Sequence, residues 1–223
     1  MQHGYHGDTY CTAASPSDAS GSVVILPDIP DTNTYESVMH WVTQRGHAAY
    51  YPRYPGSMQS HGSFLATNPG EVITSFTDDV PDSPVVLLGI GFGSLVALSV
   101  AAAKDVAGVI TYDPWWDVDL VDDADEYFKT AFDHHYYLYR DKPDDPVQHL
   151  RSYEDLYPYS YVDEVTAPIL SFVGDNPTVP RGATEEMQDL LDVRVVDHHA
   201  VSVEQAFIQH MDRVYSFLSD VTL

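Results

Sequence analysis

Residues 85–98, VVLLGIGFGSLVAL, constrain the fold more than any other part of this chain. The segment carries no charge, opens on a run of valine and leucine, and continues beyond Ser94 as an apolar stretch of helical length. Between the two halves, glycines alternate at positions 89, 91 and 93. Unbroken apolar runs belong to elements covered on both sides. Closely spaced glycines permit a sharp turn in which a strand and a helix approach each other tightly. The uncharged stretch over 84–103 is long enough to span a bilayer, but the same glycines would weaken a spanning helix in its first half. The expectation is a buried strand turning directly into a buried helix, and no membrane segment.

Strand patterns alternate with helical ones along most of the remaining chain. Short apolar, β-branched runs predict strands over 23–26, 48–51, 85–88, 106–112, 167–174 and 193–196. Helices are predicted over 34–45, 71–76, 94–103, 184–191 and 203–218. In the first of these Tyr35, Val38, Met39 and Val42 recur at helical spacing, and Gly46 closes it. Thr184 is placed as the cap of the fourth. Such alternation is the signature of βαβ units and a mostly parallel sheet. The predicted fold is a three-layer α/β/α sandwich, one domain over residues 1–223. A cap-like insertion at about 113–163 is crowded with aromatic residues, Asp and Pro.

Composition bounds what such a domain can bind. With 223 residues and 44% hydrophobic content the chain can bury a sizeable core. Thirty-four acidic residues face ten basic ones, for a formal charge of −24. That surface repels phosphates and excludes nucleic acid. Self-repulsion on this scale is a device of halophiles, which places the source among salt-accumulating organisms, archaea in particular. Cys11 is the only cysteine, so there is no intrachain disulfide and no cysteine-rich zinc site. The N-terminus, MQHGYHGDTY, lacks the basic and apolar regions of a secretory signal, giving a cytoplasmic expectation.

Three segments carry a family resemblance. QRGHAAYYPRYPG, over 44–56, is similar to a strand and loop of the small α/β-hydrolases of the dienelactone-hydrolase or serine-aminopeptidase type. GIGFG matches in outline the family's nucleophile elbow, written G-x-S-x-G. APILSFVGDNPTVP, over 167–180, is similar to the strand that delivers the catalytic acid. The resemblance covers most of the chain from Val23 onward and implies a nucleophile, a histidine base and an orienting carboxylate. Gly91 stands where the serine would be, and glycine has no side chain to attack with. Asn176 stands where the acid is usual, with Asp175 beside it as the available carboxylate. His198 and His199 follow the last predicted strand, where the family's base falls. Ser94 is the nearest hydroxyl to the elbow, but it lies along the helix rather than at the apex.

The family's oxyanion hole uses the backbone N–H after the nucleophile and another from the loop after an earlier strand. Here these are the N–H of Phe92 and the Asp28–Ile29 region. They could still hold a carboxylate or carbonyl oxygen at the helix N-terminus, with Asp28 and Asp31 nearby opposing an anion. Trp115, Trp116, Tyr136 and Tyr137 are candidates for a cap pocket or a protein-binding surface, or else fill the cap's own small core. Histidines beside carboxylates, at 133–135, at 197–199 and at positions 3 and 6, have no diagnostic ligand spacing, so no metal and no cofactor are expected. Two readings follow. In the first the chain is a non-catalytic pseudoenzyme that binds a small molecule or a protein partner. In the second it is a carboxylester or peptide hydrolase with a non-standard nucleophile.

Overall fold

A computed structural model describes residues 1–30, 32, 34–81, 84–175, 178–200 and 202–222. Its centre is an eight-stranded sheet, with β1 (Gln2–His6), β2 (Thr9–Ala14), β3 (Ser22–Leu26), β4 (Ala48–Arg53), β5 (Val85–Ile90), β6 (Gly108–Tyr112), β7 (Ile169–Val173) and β8 (Val193–Asp197). The order across the sheet is β1-β2-β4-β3-β5-β6-β7-β8. From β4 to β8 all neighbours are parallel. Only the N-terminal pair is antiparallel, β1 to β2 and β2 to β4. These two strands were not legible in the sequence, because QHGYH is polar and exposed on both faces, while the alternation that reveals a half-buried strand needs one apolar side.

The parallel strands alternate between two buried clusters. Val24, Leu26, Leu87 and Val109 face one layer, whereas Val23, Ile25, Val86, Leu88 and Ile110 face the other. The first layer contains α2 (Pro69–Asp78), α3 (Phe92–Ala103), α6 (Arg181–Leu190) and the segment between β6 and β7, which folds into α4 (Ala124–His134), α5 (Pro146–Arg151) and single 3-10 turns. The second layer contains α1 (Glu36–Gln44), α7 (Val203–Gln209) and α8 (Met211–Thr222). The three-layer expectation therefore holds. Two details differ: the C-terminal helix predicted as one is broken at His210, and Thr184 lies inside α6, where its buried Oγ1 accepts the Trp116 indole N–H at 2.9 Å instead of capping the helix. The uncharged stretch around the elbow divides between β5 and α3, and no helix among the described residues is long and apolar enough to cross a membrane.

The sheet brings all the candidate chemistry to one edge. β3 and β5 pair in register, Leu26 opposite Gly89, so the segments leaving their carboxyl ends run side by side. This is the point where strand order reverses, since β3 is flanked by β4 on one side and β5 on the other. Open α/β sheets form their crevice at such a place. β5 is buried along its whole length, as is nearly all of α3. Gly93 lets the helix lie against β3, because a Cβ there would overlap the Leu26 carbonyl oxygen. Gly93→Ala is expected to lower unfolding stability by at least about 2 kcal/mol in a urea titration, as overpacking against immobile backbone does.

Candidate functional site

The elbow forms as the glycine pattern implies. Gly91 sits at φ 51 and ψ −116, a conformation in which a side chain is strained, between β5 and the first turn of α3. Its N–H donates to the Tyr112 carbonyl at 2.9 Å, and its own carbonyl accepts from Ser94 and Trp115 N–H groups at 3.0 and 3.2 Å. Ser94 is fully buried inside α3, so no substrate can reach its hydroxyl.

The space above Gly91 is filled by Asp28. One carboxylate oxygen, Oδ1, accepts the N–H of Ile29 and the N–H of Phe92, each at 2.8 Å. These are the two donors that the sequence assigned to the oxyanion hole. The carboxylate also covers the missing side chain's position: a Cβ at Gly91 would collide with Cγ and both oxygens of Asp28. Asp28, expected from the sequence to oppose an incoming anion, does more than that here, since its own carboxylate takes the two donors, while Asp31 lies outside the described residues. Phe92 begins α3, so the carboxylate meets the positive end of a buried helix as well as two N–H donors, and charge-assisted bonds of this kind are strong.

Aromatic side chains close the surroundings. Trp115 packs edge-on against Phe92, Tyr127 and Phe128, with ring centroids 5.9, 5.2 and 5.9 Å away. Tyr54 meets the other side of Phe92 at 5.6 Å and donates its hydroxyl to the Pro27 carbonyl. Tyr127, from α4, donates to the Ile29 carbonyl. Burial first, and then the charge of Asp28, push the Tyr127 phenol well above its ordinary range, so it remains a neutral donor. Trp115 and Trp116 are completely buried, whereas Tyr136 and Tyr137 are 71% and 67% exposed. The four do not line a common cap pocket: the tryptophans are core, and the tyrosines project from a 3-10 turn beyond α4. A cavity of about 380 Å3 lies instead between Pro30 and α4, with Tyr127 in its wall and Asp122, Asp123, Glu126, His134 and His135 around it.

Two histidine–carboxylate pairs stand at the ends of β6, β7 and β8. His199 Nδ1 lies 2.7 Å from Asp175 Oδ2, an exposed pair that joins one of the two candidate bases to the carboxylate next to the usual acid position. Asn176 lies outside the described residues. The hydrogen bond that His199 donates to Asp175, and then the charge of Asp175, raise the pKa of His199. His198, 3% exposed, points inward and brings Nε2 to 3.3 Å from Asp113 Oδ1. That approach is a close contact without hydrogen-bond alignment, since Nε2 has no aligned partner. Its Nδ1 accepts the Ala200 N–H at 3.3 Å. Asp113, at positive φ just past β6, also accepts the Gly174 N–H at 2.6 Å. Sequence reading missed Asp113. The available signal was an Asp directly after a buried strand, but an Asp-Pro turn looks the same.

Of the remaining histidines singled out in the sequence, His3 and His6 have local partners, whereas the buried Nδ1 of His135 has no hydrogen-bond partner among the described residues. His6 pairs with Asp79 at 2.7 Å and His3 with the Tyr10 hydroxyl at 2.9 Å, while Asp197 is bound to Arg181. Among the described residues, no group of three or more His, Cys, Asp or Glu is placed to hold a metal ion. Burial pushes the Cys11 thiol up to about 12, leaving it an inert packing residue on β2.

Comparison with known proteins identifies the architecture. No family profile matches the chain, and no curated protein matches it in sequence. Solved structures match over nearly its whole length. The α/β hydrolase GrgF from a Penicillium species is 13% identical, with a TM-score of 0.74 over 96% of this chain and 94% of its own. Est1E from Butyrivibrio proteoclasticus, solved with ferulic acid, is 16% identical, with a TM-score of 0.73 over 99% of both chains. The monoacylglycerol lipase of Paleococcus ferrophilus is 15% identical, with a TM-score of 0.71 over 95% of this chain and 98% of its own. The chain has the α/β-hydrolase fold. At these identities the likeness establishes the fold alone.

Two outcomes follow from the site. Asp28→Ala leaves two enclosed N–H donors without their acceptor and is expected to cost about 1–3 kcal/mol in chemical unfolding. Because His199 has a raised pKa, the stabilisation from its pair with Asp175 is full below about pH 6.5, the ordinary histidine value, and is lost as pH rises through the raised folded value. Both side chains are mostly exposed, so the contribution is small. The His199 ring protons should titrate above the ordinary value in an NMR pH series and return to it in Asp175→Asn.

Proposed function

We propose that this chain is a non-catalytic α/β-hydrolase-fold protein, a binding pseudoenzyme of a salt-rich cytoplasm, in which an internal carboxylate has taken over the site of acyl transfer. The observation that carries this reading is the double hydrogen bond from Ile29 and Phe92 to Asp28 Oδ1. Serine hydrolysis needs a hydroxyl at the elbow and an empty hole into which negative charge can develop. Here the hydroxyl is absent, and the donors already hold a full negative charge. A substrate oxyanion arriving at the same place would meet a carboxylate instead of N–H groups.

The surroundings support binding over turnover. Ser94, beside the elbow, is buried, and so is Cys11 on β2, so neither is open to a substrate. Trp115 occupies space next to the elbow where a substrate would need room. The cavity beside the site is bordered by carboxylates, which disfavour the acidic product of ester cleavage and suit a neutral or cationic ligand. The charge of −24 supports a high-salt setting, where screening reduces self-repulsion.

A fluorophosphonate probe and a short-chain p-nitrophenyl ester series in molar KCl test the proposal. The unmodified chain should neither label nor turn over. Gly91→Ser alone should stay silent, because the new side chain would collide with Asp28. Gly91→Ser combined with Asp28→Gly frees both the apex and the hole and should label above background. Ester turnover by the unmodified chain, abolished by His199→Ala, would overturn the proposal in favour of a hydrolase with an unrecognised nucleophile.

A further inference from the structure

Two neighbouring histidines leave β8 under opposite proton requirements. His198 is 3% exposed, and its backbone N–H donates to the Val173 carbonyl at 3.0 Å, so its main chain is fixed to the sheet. Its ring reaches towards Asp113 through a gap that Gly174 keeps open. A Cβ at Gly174 would press to 3.0 Å on both His198 Cε1 and Asp113 Oδ1. His199 turns the other way, into solvent and onto Asp175.

The Ala200 N–H fixes where His198 carries its proton. A neutral imidazole has one N–H and one acceptor nitrogen, whereas a charged imidazolium has two N–H groups and no acceptor. Because Nδ1 accepts the Ala200 N–H at 3.3 Å, the neutral ring is protonated on Nε2, which lies 3.3 Å from Asp113 Oδ1. A second proton therefore has one place to go, Nδ1. Once it is there, Ala200 faces a donor instead of an acceptor, and turning the ring over does not restore one. The imidazolium gains a charge partner in Asp113 at the same moment. His199 responds in the reverse sense, since its hydrogen bond to Asp175, and then the charge of Asp175, favour the protonated ring.

The other titratable groups around His198 leave this exchange to Asp113. Tyr112, at the end of β6, brings its ring to 6.3 Å, and burial keeps its phenol neutral. Asp197, one residue earlier on β8, is bound to Arg181, and Asp175, past β7, is taken by His199. His210, between α7 and α8, is held towards its neutral form by burial first, then by Arg213 and by His198 and His199.

We infer that residues 198–200 form a proton-operated latch on the segment leading from β8 into α7. With His198 neutral, Ala200 is fastened inward, where it packs with Val203 against the cluster that contains Tyr112 and Phe207. With both histidines charged, the inward fastening is lost and the outward pair of His199 with Asp175 is at its strongest. Because the backbone of His198 stays on the sheet, the residues after it are the ones that move, and the lead into α7, capped by Ser202, loosens. Histidine is the side chain suited to such a switch, since its charge ordinarily changes between about pH 5 and 8. The closed elbow takes no part in it.

An NMR titration of the isotope-labelled full chain in molar KCl, from about pH 8 to about pH 5, tests the latch. At the upper end the His198 ring should show its proton on Nε2. As that ring charges, the Ala200 amide should lose about two- to tenfold of its protection against exchange, corrected for the intrinsic pH dependence, which is what one net hydrogen bond sustains. Both readings come from the unmodified chain, so they stand even where a variant fails to fold. His198→Asn puts a non-titrating carbonyl oxygen in the place of Nδ1 and should leave Ala200 protected throughout. His199→Gln removes the outward pair and should leave the Ala200 transition in place, which assigns it to His198. The latch is overturned if the neutral His198 ring carries its proton on Nδ1, if His198 stays neutral across the series, if Ala200 keeps its protection while His198 charges, or if the transition persists in His198→Asn or disappears in His199→Gln.

Discussion

One carboxylate oxygen accepting two backbone N–H groups fixes the character of this molecule. Asp28 follows β3 by two residues and Gly91 follows β5 by one, and the in-register pairing of those strands sets the two loops side by side. Four things coincide there: the end of a buried strand, the start of a buried helix, a residue without a side chain, and an anion. Any one of them alone would be unstable. A helix N-terminus enclosed among aromatics needs an acceptor for its first N–H groups, and a carboxylate enclosed there needs donors. Each requirement satisfies the other.

That reciprocity explains why the site is more than a hydrolase lacking its serine. In an acyl-transfer enzyme the N–H pair is held ready for a charge that appears only during reaction. In the proposed pseudoenzyme the Asp28 carboxylate stands in for that charge, and preorganisation that would serve catalysis serves stability. Tyr127 and Trp115 extend the arrangement into the segment between β6 and β7, since the Tyr127 hydroxyl donates to the Ile29 carbonyl and the Trp115 backbone N–H donates to the Gly91 carbonyl. The histidines are under less constraint. His199 and Asp175 lie in solvent, where an ion pair contributes little and is tolerated at little cost.

The sequence made the layers readable and left the closure of the site hidden. Strands such as residues 85–88 are unbroken apolar runs, and the helix over Glu36–Gln44 shows a clean 3.6-residue period, so local physics suffices for both. The Gly91 elbow was legible because its glycines stand between a strand pattern and a helix pattern, the context that a sharp strand-to-helix turn requires. The role of Asp28 was not, because LPDIPD looks like any solvated loop until the β3–β5 register is known. Asp113 was hidden for the same reason, as its approach to His198 spans the ends of β6 and β8. Trp115, Trp116, Tyr136 and Tyr137 show the limit of composition: similar aromatic residues in one segment separate into core and surface according to packing that sequence spacing does not encode.

The most direct measurement is an NMR pH titration of the Phe92 and Ile29 amides together with the Asp28 carboxyl carbon. If Asp28 occupies the former oxyanion hole, both amide protons should resonate at low field and move with the carboxyl at a common midpoint, and Asp28→Asn should abolish that shared titration. Amides that ignore the Asp28 titration, or that keep their shifts in Asp28→Asn, would mean that the N–H pair is free, and the central claim would fail.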